Sequence, residues 1–218
     1  MSYISFKPES VDSRDLHQFI IGAVSPRPIA FVSTINAKGE TNLAPYSFFN
    51  AFSSNPPILI FSSNTRKGSA PEKDSLVNIK EVKECVINMV NYEMHKQMAL
   101  ASVEFDYGMS EFDKTGLSPI KSEEVRPFRV KESPVQLECT VKDIIALSNN
   151  AGAANLVICE IVKMHINKAI MDAQLRRIDP YKLDIVGRLG RSNYVRVSDK
   201  SIFSSYQSVK NACIGYDN

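Results

Sequence analysis

The chain has 218 residues, of which 44% are hydrophobic, 23% charged and 9% aromatic, the composition of an ordinary globular protein rather than a disordered or disulfide-stapled one. Its 26 Lys and Arg against 24 Asp and Glu leave a net charge of +2, which argues against an electrostatic footprint for nucleic acid or an anionic membrane. No apolar run approaches the roughly 18 residues of a membrane span, and the start MSYISFKPES lacks a secretory pattern, so the expected address is cytoplasmic.

In chain order, Asp12 and Ser13 followed by Leu16, Phe19 and Ile20 predict a short amphipathic helix. PIAFVSTIN, the turn NAKGE and TNLAPYSFF then read as a β-hairpin, SSNPP interrupts it, and ILIFSS is a further strand. Residues 64–73 are a polar loop. Leu76, Ile79 and Val82 follow a helical period, with Asp74 or Ser75 placed to cap it. ECVINMV is a strand, residues 92–102 favour helix, and a short helix around SEFDKTG lies in an otherwise irregular stretch that runs to Pro134. PVQLECTVKDIIAL and NLVICEIVKMHIN form a second hairpin across SNNAGAA. About six strands without regular crossover helices predict a β-barrel. Cys85, Cys139, Cys159 and Cys213 form no CxxC pair and are expected as buried free thiols.

Several enzyme signatures are missing. There is no G-x-G-x-x-G, no P-loop and no G-x-S-x-G elbow, and His17, His95 and His165 have no metal-ligand spacing. The informative stretch is Thr41 to Thr65, 25 residues without one charge, in which Asn and Ser alternate with Tyr46, Phe48, Phe49, Phe52 and Phe61. Composition reads this as a hairpin core with polar turns. The same residues suit a neutral heteroaromatic ring, because amides and hydroxyls donate and accept hydrogen bonds without the desolvation cost of an ion. Arg66, Lys67 and Lys73 then run into a helix start, either a solvated charged loop or a place where cations and free backbone N–H groups meet a phosphate. Asp74 opposes an anion there.

The run SPRPIAFVSTINAKGETNLAPYSFFNAFSSNPPILIFSS, continued by KDSLVNIKEVKECVINMV, EFDKTGLSP and GRLGRSNYVRV, resembles the flavin reductase-like, FMN-binding split-barrel family, which includes flavoredoxin and the reductase components of two-component monooxygenases. The resemblance implies one domain over residues 1–218, with a core over about 20–197 and a tail over 198–218, folded as a mainly β, six-stranded antiparallel Greek-key split barrel with peripheral helices. It also implies a homodimer that binds FMN and reduces it with NAD(P)H. The alternative is an FMN-containing electron carrier reduced by a protein partner, and a weaker one is a split barrel holding pyridoxal phosphate or a deazaflavin. A monooxygenase or other electron acceptor is the implied protein partner.

Carried onto this chain, the resemblance puts Thr34, Asn42, Ala44, Pro45, Tyr46 and Ser47 along the flavin ring and Ser62, Ser63 and Asn64 on the ribityl or phosphate. Arg66, Lys73 and Ser75 bind the phosphate, and Arg27, Arg188 and Tyr194 lie around the flavin or nicotinamide. His165 is either a satisfied strand histidine or a flavin-edge residue. Gly190-Arg191 stands where the family usually has Gly-Gly. No acid, base or metal is required of the protein, because the redox chemistry belongs to the cofactor.

Overall fold

A computed structural model of the protein describes residues 1–64, 72–103, 110–150, 153–198 and 200–203. After a 3-10 turn at Pro8–Ser10 comes helix α1 (Ser13–Ala23), started by the Asp12 carboxylate, which accepts from the Arg14 backbone N–H at 2.8 Å. Strands β1 (Ala30–Ile35) and β2 (Thr41–Tyr46) form the expected hairpin. Its turn is held by Asn36 Oδ1, which accepts from the backbone N–H groups of Lys38 and Glu40, and Gly39 supplies the positive φ of 91° that the reversal requires.

TNLAPYSFF is not one strand. The chain breaks at Ser47 and Phe48 and starts β3 (Phe49–Ser54), which pairs antiparallel with β4 (Pro57–Asn64). NPP is therefore a hairpin turn rather than an interruption. Pro56 occupies the turn itself and Pro57 the first position of β4, places where a missing N–H costs the ladder nothing. Helix α2 (Asp74–Val82) has Lys73 at its N-cap with no side-chain capping bond, so neither Asp74 nor Ser75 caps it; both lie inside its first turn.

Then come β5 (Glu84–Met89), α3 (His95–Leu100), α4 (Glu111–Thr115) and the two-residue strands β6 (Pro119–Ile120) and β7 (Arg129–Val130). The long hairpin of β8 (Val135–Ala146) and β9 (Ala154–Ile166) follows, and α5 (Pro180–Leu183), β10 (Val186–Arg188) and β11 (Tyr194–Arg196) complete the described chain.

Seven strands, one more than expected, join in the order β2-β1-β5-β8-β9-β4-β3. The two edges, β2 and β3, are consecutive in the chain. Laid flat, six spacings of about 4.8 Å would part them by about 29 Å, whereas the three Cα steps from Tyr46 to Phe49 span about 11 Å at most. The sheet must roll until its edges approach. Tyr46 accordingly packs on Phe61 of β4 with ring centroids 5.0 Å apart, and the Ser62 N–H donates to Phe48 O at 2.8 Å. The result is a mainly β split barrel with helices outside it.

β1 is buried on both faces, which explains why it reads as an unbroken apolar run. Ala30 and Val32 face the barrel interior with Phe61, Leu137 and the buried thiols Cys85, Cys139 and Cys159. Ile29 and Phe31 face an outer cluster under α3 and α4, with Met94, Met98 and Phe112. Cys213 lies outside the described residues.

Candidate functional site

Where β2 passes into β3 the rolled sheet leaves a cavity of about 300 Å³. Pro45, Tyr46, Ser47 and Phe48 form one wall, Ser62 and Asn64 of β4 another, and Lys73 stands at the α2 end. Its Nζ lies 5.5 Å over the Tyr46 ring. The opposite end is made by His17 and Ile21 of α1, by Arg27, and by Arg188, Arg191 and Tyr194 around the β10–β11 turn. The residues described along this lining include Arg27, Lys73, Arg188 and Arg191 but no carboxylate, so the cavity favours an anionic ligand.

A second cavity of about 200 Å³ shares Pro45, Tyr46 and Lys73 and adds Asn42, Ala44 and Ser75. It is mixed in charge, because Asp74 and Glu111 also line it. Glu111 accepts from the Leu43 backbone N–H at 3.0 Å, and burial raises its pKa above the ordinary value, which reduces its opposition to an anion. Asn42 lies 2.7 Å from Ser75 Oγ. Turned so that its oxygen accepts from Ser75 and from the Leu43 N–H, its nitrogen donates to Glu111 at 3.1 Å. The Tyr46 hydroxyl and Ser63 Oγ are buried without a hydrogen-bond partner of good geometry. Burial pushes the Tyr46 phenol up, and the neighbouring Ser75 and Ser63 hydroxyls partly offset this.

Most of the residues singled out in the sequence therefore gather around these two cavities. Three do not line them. Thr34 is fully buried and its hydroxyl accepts from Asn78 of α2 at 3.1 Å, tying that helix to β1. Ser63 points under Tyr46 rather than into the cavity. His165 Nε2 lies 2.6 Å from the buried carboxylate of Glu138, which also accepts backbone N–H groups of Glu123, Glu124 and Val125. It is a satisfied strand histidine. Arg66 lies outside the described residues.

Arg27 does line the cavity, yet its two terminal nitrogens donate to the protein's own carbonyls, while its buried Nε has no partner. Nη1 donates to Ile21 O and Val24 O, each at 2.6 Å, and Nη2 to Leu189 O at 3.0 Å. The side chain thus caps the carbonyl end of α1 and fastens it to the β10–β11 turn. Burial, followed by the charge of Arg188, lowers its pKa. Arg188 is also committed, donating to the Tyr194 hydroxyl and to Arg191 O, with its guanidinium 4.4 Å from the Tyr194 ring centroid.

His17, Phe48, Met98 and Ser102 line the cavity but were not singled out as site residues. His17 and Ile21 are four apart on α1, a spacing that would have put both on one helix face. Phe48 was visible as part of the uncharged run.

Comparison with known proteins agrees with this architecture. The family model described as "Flavin reductase like domain" matches residues 22–178. An uncharacterised protein of Aquifex aeolicus is 33% identical over 193 residues, covering 88% of this chain and 95% of its own. Among solved structures, nitrilotriacetate monooxygenase component B from Bacillus cereus superposes with a TM-score of 0.86 at 26% identity, covering 94% of this chain and 100% of that one. The 2-nitrobenzoate 2-nitroreductase NbaA of Pseudomonas fluorescens does so with a TM-score of 0.83 at 29% identity, covering 97% and 100%. A rolled seven-strand sheet with a polar, cationic cavity at its seam, matched over most of its length, makes this chain a member of the flavin reductase-like domain family.

Proposed function

We propose that the protein is an FMN-binding, NAD(P)H-dependent flavin reductase that works as a homodimer and holds its flavin at the β2–β3 seam. The observation that carries this reading is the cavity itself: a wall of amides, hydroxyls and aromatic rings with cations at both ends and, among its described residues, no carboxylate. The residues fit the group. Pro45, Tyr46 and Ser47 would lie along the ring, Ser62 and Asn64 would hydrogen-bond its polar chain, and Lys73 with the free N–H groups at the start of α2 would take the phosphate.

When bound, the flavin would supply a ring that accepts hydride from a reduced nicotinamide and passes the electrons on. The chain's own part is positional and electrostatic. Arg188, held against Tyr194, would keep a positive charge near the ring as negative charge develops there. Met98, Ile29 and Ile21 would exclude water from the inner side. The similarity to a monooxygenase component supports an acceptor that is an oxygenase partner. Phe19 and Ile20 on α1, Val24 at its C-cap and Phe52 on β3 are exposed, apolar surface that supports the dimer because a second chain would cover it.

The test is an anaerobic absorption titration with FMN, followed by NADH or NADPH in the same cuvette. A binding shift followed by bleaching of the flavin band is the expected result. Binding without bleaching by either nucleotide would refute the reductase activity, and no binding would refute the cofactor.

A further inference from the structure

The three arginines that line the larger cavity differ in what they are free to do. Arg27 and Arg188 are anchored to backbone carbonyls and a tyrosine. Arg191 lines the same cavity, as does His17 of α1, and among the described residues the Arg191 guanidinium has no hydrogen bond or ion pair. Its backbone sits at φ +56°, a left-handed conformation that costs a side-chain-bearing residue roughly 1 kcal/mol and suits glycine. The turn is held in place independently of that side chain. Gly190 packs so closely on Gly22 of α1 that a Cβ there would lie 3.4 Å from the Gly22 Cα, and Arg27 joins Leu189 O to the end of α1. A glycine at 191 would satisfy the backbone; the arginine stands there at a conformational cost, exposed at a cavity whose described lining carries no carboxylate.

We infer that Arg191, in the cavity that His17 also lines, forms an anion site for the pyrophosphate of the nicotinamide dinucleotide. Its identity as a co-substrate site rests on the proposed reductase activity, while the anion site is read from the cavity. The exposed position favours a long ligand over a small aromatic acid. A dinucleotide can insert its reactive ring deep in the cavity and leave its pyrophosphate at the mouth, where a guanidinium fork matches two phosphate oxygens. A benzoate-sized acid would place its only charge further in.

The test is calorimetric titration of inorganic pyrophosphate, and separately of benzoate, into FMN-saturated and flavin-free wild type, Arg191→Gly and Arg191→Lys. Arg191→Gly removes the strained residue and should fold at least as well, checked by its near-ultraviolet dichroism. Pyrophosphate affinity should fall about tenfold in Arg191→Gly and less in Arg191→Lys, which keeps charge but loses the fork, and the KM for NADH or NADPH should rise by a similar factor. Equal pyrophosphate binding in wild type and Arg191→Gly overturns the inference. So does benzoate binding that depends on Arg191 when pyrophosphate binding does not. Arg191-dependent pyrophosphate binding by a protein that takes up no FMN would sink the reductase reading and leave the anion site standing.

Discussion

At the scale of single residues, geometry separates binding groups from positioning groups that look alike in sequence. Arg27 and Arg191 are both arginines in a cationic cavity, but the terminal nitrogens of one are anchored to backbone carbonyls and those of the other are not. Arg27→Ala should lower stability by about 2–4 kcal/mol, since one buried and two part-buried carbonyls lose a charged donor, and urea unfolding will read it. Glu138 supplies a pH dependence. Burial alone would raise its carboxyl pKa, but the N–H groups of Glu123 and Glu124 and the His165 ring outweigh burial and hold it below the ordinary value. The ionised form stabilises the fold, so this contribution is complete above the unfolded carboxylate pKa of about 4.3 and is lost as pH falls through the lowered folded value. The stability gap between wild type and Glu138→Gln should be constant from pH 5 to 7 and shrink below pH 4. His165, a candidate for the flavin edge on sequence, is part of this anchor because its strand register sets it opposite Gln136, two residues from Glu138; register over a long bulged hairpin is not readable from spacing.

At the scale of elements, the start of α2 and the middle of β8 carry the sharpest expectations. Lys73 stands at the N-cap of α2, where backbone N–H groups emerge. Lys73→Ala should weaken FMN binding by about 1–2 kcal/mol and leave riboflavin binding unchanged, since only the former bears a phosphate; equal losses for both ligands would remove the phosphate assignment. Cys139 of β8 is fully buried in the barrel interior with Cys85 and Cys159. Hydrogen bonding to Cys85 and burial push its thiol pKa up, so it behaves as a small apolar filler. Cys139→Ser should cost about 1–3 kcal/mol of stability by burying a hydroxyl there, while turnover per folded molecule stays close to wild type. The β1–β2 and β8–β9 hairpins and the amphipathic period of α2 were legible because they depend on neighbours in the chain. The separate strand β3 was not: Ser47 and Phe48 break the run only because the sheet must turn there to close.

At the scale of the whole molecule, the exposed apolar residues of α1 and β3 bear on assembly. Light scattering on the eluting protein should give the mass of two chains, and Phe19→Asp with Val24→Asp should shift it toward one; a monomeric wild type would remove the homodimer from the proposal. The same scale divides what was readable from what was not. Composition, periodicity and the ordered motifs determined a mainly β barrel, the location of its β1–β2 and β8–β9 hairpins, and a neutral polar stretch followed by cations, because these depend on local pattern and on residue chemistry. Only the tertiary structure decided that seven strands rather than six roll into the barrel, that Thr34 and His165 serve the framework, and that His17 and Arg191 reach the cavity. Those outcomes turn on which distant segments meet when the edges of the sheet approach, and on which donors are already satisfied once they do.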